Sequence, residues 1–127
     1  MTILRLMDES DATGKVKAIF EEIKAALQVP FVPELFRALA FKPERLEAVW
    51  TQVKGLYGSG CLDVKTKLLA ALAVAAVQRN AYFVKIHAIA LKRFGASDEE
   101  ILELLDLAGF SSALDTLVSG LDLDPEL

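Results

Sequence analysis

Apolar side chains return at helical spacing along almost the whole chain, and no stretch shows strand-like alternation bounded by hairpin turns. That periodicity restricts the fold class to all-α. Val16, Ile19, Phe20, Ile23 and Leu27 follow i, i+3, i+4, i+7 spacing, with Lys15, Lys17, Glu21, Glu22 and Lys24 on the other side. Asp11 or Thr13 is placed to cap this first helix. Pro30 and Pro33 end it and open a short helix over Glu34 to Phe41. From Pro43 a third helix carries Leu46, Val49, Trp50, Val53 and Leu56 on one face, until Gly58-Ser59-Gly60 stops it.

Asp63 is placed to cap a very apolar helix from Val64 to Gln78. Ala and Leu stand on every side of it, which predicts the central buried helix. The next helix, Asn80 to Phe94, sets Phe83, Ile86, His87, Ala90, Leu91 and Phe94 on its inner face. Lys92 and Arg93 suit its negative C-terminal end, and Gly95 suits the C′ position beyond it. Ser97-Asp-Glu-Glu100 is a capping box that opens a helix with Ile101, Leu104, Leu105 and Ala108 inward. A last helix is expected over Phe110 to Ser119, with Ser111 and Ser112 as capping residues near its start. The pattern gives about six to seven helices in one domain spanning residues 1–127, with no repeat and no low-complexity segment.

Composition narrows the function classes. Hydrophobic residues make up 54% of the 127 positions, above the roughly 45–50% of an ordinary domain. The surplus predicts a surface that is itself buried, most simply in a homo-oligomer. A net charge of −4 argues against nucleic acid, because phosphate contacts need a basic face. The longest apolar run, Leu68 to Val77, is half the length a membrane span needs, which is about 20 residues. The N-terminal stretch turns acidic too quickly for a signal peptide, so a cytoplasmic chain is expected. One cysteine excludes a disulfide framework and a Cys-based zinc cluster. With a single histidine besides, no metal site and no cofactor are implied.

The segment from Val32 to Leu121 resembles the alkylhydroperoxidase D-like family, also called the carboxymuconolactone decarboxylase family. The residues that carry the resemblance are Val32-Pro-Glu-Leu-Phe-Arg-Ala-Leu-Ala40, Gly58-Ser-Gly60, Asp63 to Ala75, Asn80-Ala-Tyr-Phe-Val-Lys-Ile-His87 and Gly95-Ala-Ser-Asp-Glu-Glu-Ile101. The resemblance implies an all-α fold with its core over residues 32–121, and symmetric oligomers. Peroxidase members carry a Cys-x-x-Cys-x-x-x-His motif, with a relay glutamate on the preceding helix. A helix N-terminus favours the thiolate, the second thiol resolves the sulfenic intermediate, and the glutamate moves protons with the histidine. Laid on that pattern, the cysteines fall on Asn80 and Phe83, the histidine on His87 and the glutamate on Leu68. Only the histidine is kept. The decarboxylase branch places an acidic residue one turn before the histidine, and here that position is also Phe83.

Two functional readings follow. In the first, the chain has lost thiol peroxidase chemistry and binds a small apolar ligand or serves a structural role as an oligomer. In the second, His87 is a general acid/base acting on a lactone or carboxylate substrate, with Asn80 orienting it and Leu68 and Phe83 lining the pocket. Each residue has a plainer assignment. His87 on an apolar face is a packed core imidazole, and Asn80 at a helix start is an N-cap. Tyr82 falls on the opposite side of that turn, as a surface or interface aromatic. Cys61 is either a reactive thiol near Lys65 and Lys67 or a small inert side chain. Ser111 and Ser112 have no second histidine to activate them as nucleophiles.

Overall fold

Helices account for all the regular structure in the computed structural model, among the described residues 2–126. A single 3-10 turn at Glu9–Asp11 precedes α1 (Gly14–Leu27), α2 (Glu34–Leu39), α3 (Pro43–Gly58), α4 (Val64–Val77), α5 (Ala81–Arg93) and α6 (Asp98–Leu121). The chain divides into two units, the first ending at Val64 and the second beginning at Lys65.

The first unit has a continuous core. Val16, Ile19, Phe20 and Ile23 of α1 are buried together with Phe36 of α2, Leu46 and Trp50 of α3, and Ala12, Val32 and Ala40 from the connections. The rings of Phe36 and Trp50 meet edge to face at 5.7 Å, the geometry the ring quadrupoles favour. Each large side chain taken out of water contributes about 1.5–3 kcal/mol, so this cluster is what holds the short α2. Polar ties fix the same elements. Arg37 Nε donates to the Met7 carbonyl at 2.8 Å, and Met7 N donates back to the Arg37 carbonyl at 3.1 Å. Glu9 accepts from Val32 N at 3.1 Å and pairs with Lys24 at 3.2 Å. The backbone donor, then the lysine, hold its carboxyl below the usual range. Trp50 Nε1 and Lys54 share the Glu22 carboxylate at 3.2 and 3.1 Å.

Local signals in this unit were realised with three departures. Asp11 lies in the 3-10 turn, and Thr13 takes the N-cap position of α1 without a side-chain capping bond. Helix α1 ends on Gln28 in left-handed conformation (φ 55°), two residues before Pro30. On α3, Leu56 is 62% exposed although it continues the buried stripe, because only Leu46 and Trp50 of that helix are buried and the stripe outruns them.

In the second unit the connections are tight. Arg79 takes a left-handed conformation after α4, and Asn80 N donates to the Ala75 carbonyl at 2.9 Å. Gly95 at φ 90° plays the same part after α5, where Ala96 N reaches the Leu91 carbonyl at 2.9 Å. The capping box at α6 is complete: Glu100 N donates to Ser97 Oγ at 3.1 Å, and Ser97 N to Glu100 Oε1 at 3.0 Å. Lys65 adds an ion pair to Glu100 at 2.6 Å.

Two expectations are corrected here. Helix α4 is not enclosed: only Leu68, Leu72 and Ala75 are buried, and Val74 and Val77 are 57% and 50% exposed. An apolar helix is enclosed only where neighbours exist on every side, and here it has buried contacts along one stripe. The expected break before Phe110 is also absent, since α6 runs unbroken through Gly109. A helical glycine costs about 1 kcal/mol against alanine, too little to stop a helix with a complete capping box. Gly109 takes no left-handed conformation. Ser111 and Ser112 therefore lie inside a helix and cap nothing; the Ser112 carbonyl accepts the Thr116 hydroxyl at 3.1 Å.

Candidate functional site

His87 stands in the middle of α5 with its imidazole half-buried. One turn earlier, Phe83 stacks on it with ring centroids 5.3 Å apart and planes 18° from parallel. Tyr82 meets Phe83 edge to face at 5.2 Å, so three rings form a ladder along the first turns of the helix. The spacing explains the stack, because residues four apart share a helix face. Tyr82, expected as a surface or interface aromatic, is partly exposed, and its ring is the outer rung.

Burial alone pushes the His87 pKa down, with no charged group contributing. Removing an imidazolium from water costs more than removing the neutral ring, so near pH 7 the ring is neutral and can accept a proton. Among the described residues no hydrogen bond or ion pair reaches it. The two plainer assignments thus divide. His87 is neither fully buried nor tied to the backbone, whereas Asn80 does cap its helix: Oδ1 accepts from Phe83 N at 3.1 Å.

Asn80, Phe83 and His87 are therefore linked along one helix, by a cap and then a stack. Leu68, on α4, is buried at 5% exposure and carries no ionisable group. Cys61 lies in the connection after α3, in the first unit, with an exposed free thiol. Among the described residues no cluster of three or more His, Cys, Asp and Glu side chains could hold a metal ion. No helix among them is long and apolar enough to cross a membrane.

A groove of about 430 Å³ between α4 and α6, not anticipated from residue spacing, is lined by Ala73, Val74, Val77, Leu104, Leu107 and Ala108, with Gln78, Ser111, Ser112 and Asp115 as its polar members. His87, Asn80 and Phe83 do not line it. Two separate helices would part Leu104 and Leu107 from Ser111 and Asp115, whereas the helical period running straight through Gly109 puts the four on one face.

Residues 43–123 match the carboxymuconolactone decarboxylase family. Over 72 residues, 53% of this chain, the sequence is 32% identical to an (R)-2-haloacid dehalogenase of Pseudomonas putida. The match takes in 24% of that protein, so the chain spans about a quarter of the length of this curated relative. In three dimensions the chain is similar to the crystal structure of an alkylhydroperoxidase AhpD core from Rhodospirillum rubrum. The TM-score is 0.89 and the identity 30%, with 99% of this chain and 95% of that one covered.

Proposed function

The chain belongs to the carboxymuconolactone decarboxylase family and has the AhpD-like fold, and on that premise we propose that it is a cytoplasmic homo-oligomer without dithiol peroxidase activity that binds a small apolar or carboxylate ligand beside His87. One observation carries this reading. The two side chains at the positions of the family's thiols are engaged in packing: Asn80 closes the N-terminus of α5, and Phe83 covers the imidazole. Neither can form a thiolate, a sulfenic acid or a disulfide. The alkylhydroperoxidase activity in the name of the Rhodospirillum rubrum protein therefore stays with that protein. A half-exposed, neutral imidazole with an aromatic wall suits a small ligand with an apolar body and one polar group.

The experiment is dithiol-dependent hydroperoxide turnover by the wild-type chain and by Cys61→Ser. Equal rates at background are expected. Robust turnover abolished by Cys61→Ser would overturn the proposal.

A second reading is favoured by the likeness to the dehalogenase, whose name specifies a 2-haloacid, a small carboxylate. Here His87 acts as general base and Asn80 orients the substrate. Asn80 Oδ1 is already occupied by Phe83 N, which leaves its amide NH2 for a carboxylate. Halide release from (R)-2-chloropropionate, present in wild type and lost in His87→Gln, would select this reading over the first; no release from either would remove it.

A further inference from the structure

With α6 a single helix, Leu107, Phe110, Leu114, Leu117 and Leu121 follow one another at alternating three- and four-residue steps. This is the spacing of a seam between paired helices. All five side chains are 43–65% exposed. Leu107 is shared with the groove against α4, whose Val74 and Val77 continue the apolar surface. We propose that this stripe is a two-fold contact in which α6 of one copy packs along α6 of a second copy. The inference rests on the homo-oligomer reading above and names the surface that carries it.

The charge pattern along the seam permits an identical copy as partner. From Asp98 to Asp106 the helix holds five acidic residues and no basic one, whereas from Leu107 to Leu121 it holds one charge, Asp115. Asp115 belongs to the groove lining. Between Leu107 and Leu121 the positions that flank the seam, Ser111, Ala113, Val118 and Gly120, are uncharged; Asp106 flanks only its Leu107 end. Flanking charges are what set pairing with a different helix and oppose pairing with the same one. Their absence lets two identical seams meet from Phe110 to Leu121 without like-charge apposition, as an isologous contact requires. Small Ala113 and Gly120 also leave room for close approach. The area is adequate. The five seam side chains, each about half exposed, offer on the order of 500 Å² per copy, or roughly 1,000 Å² across the contact, about the least that a specific interface needs.

The test is sedimentation equilibrium of the 127-residue chain, wild type and Leu114→Glu/Leu117→Glu, at micromolar concentration, with circular dichroism to show that the helices persist. Both side chains are exposed and outside the core of the first unit, so the double variant is expected to stay folded while its association weakens at least tenfold. A second measurement does not depend on that variant. Leu114 is the midpoint of the stripe, so it faces itself in a parallel or an antiparallel pair. In a Cys61→Ser background, Leu114→Cys is expected to oxidise to a disulfide-linked dimer, while Ser119→Cys, on the opposite side of α6, is not.

A wild-type oligomer that keeps its mass in the double variant and fails to cross-link through Leu114→Cys overturns the seam and leaves the oligomer reading standing. A wild type at 13.9 kDa overturns both. If that monomer binds anilinonaphthalene sulfonate and Leu107→Ser abolishes the binding, a small apolar ligand occupies the face instead.

Discussion

The two units differ in how much of their apolar content they use. In the first, ten buried residues from three helices and their connections form one cluster. In the second, burial comes one or a few residues per helix: Leu68, Leu72 and Ala75 on α4, Ala90 and Leu91 on α5, Ala108 on α6. Its exposed side chains meanwhile include Val74, Val77, Leu102, Leu107, Phe110 and Leu117. The difference teaches that high apolar content is not itself a core. It becomes one where helices present stripes to each other, and otherwise it remains a surface.

Breaking the first unit's cluster should have the largest effect. Leu46 is fully buried and Trp50 nearly so. Leu46→Ala is expected to cost 2–5 kcal/mol and Trp50→Ala about 3–5 kcal/mol, measured by urea unfolding. Losses under about 1 kcal/mol would mean that the first unit is no better packed than the second. A smaller loss, about 1 kcal/mol, is expected for Ser97→Ala, which removes one half of the capping box at α6.

Gly109→Ala should move stability the other way. Nothing lies within 4 Å of the added methyl, and the backbone is not left-handed. A gain of about 0.5–1 kcal/mol is expected from helix propensity; a loss would place a bend in α6 at that residue. The smallest effect concerns pH. The folded pKa of His87 lies below its unfolded value, so the unfolded chain takes up the proton first as pH falls. The neutral ring's contribution is therefore intact above the unfolded pKa, about 6.5, and is lost as pH drops below it. His87→Phe should flatten the stability curve in that window by a few tenths of a kcal/mol, because the ring is only half-buried and solvent screens the charge. An unchanged curve would mean that the imidazole is as well hydrated in the folded chain as outside it.

Much of the fold was legible in the sequence because its signals are local. The spacing of Val16, Ile19, Phe20 and Ile23, Pro43 at the first position of α3, Asn80 and Ser97 as caps, and Gly95 after α5 each act within a turn or two of chain. What was not legible depends on neighbours. Val74 and Val77 look like core in sequence, and their exposure follows from where other helices stop. The separate helix expected from Phe110 is instead the second half of α6, because propagating a capped helix costs less than starting a new one. At the candidate site, the place of Asn80 as the cap of α5 and the order of Asn80, Phe83 and His87 along that helix were legible. The stack of Phe83 on His87 and the outer rung at Tyr82 depend on side-chain rotamers, which residue spacing does not set.

The bond from Asn80 to Phe83 also has a bearing on reversibility. Thiols at both positions would be needed to install the family's redox motif, and the first substitution, Asn80→Cys, takes away the cap of α5. The second, Phe83→Cys, takes away the ring that covers His87. Neither change alone supplies a dithiol, and each removes a contact of α5, so each intermediate sequence is expected to be less stable. Such a valley between two sequences discourages passage one mutation at a time. On the proposed reading, the packing of Asn80 and Phe83 thereby opposes the stepwise arrival of a dithiol at the start of this helix.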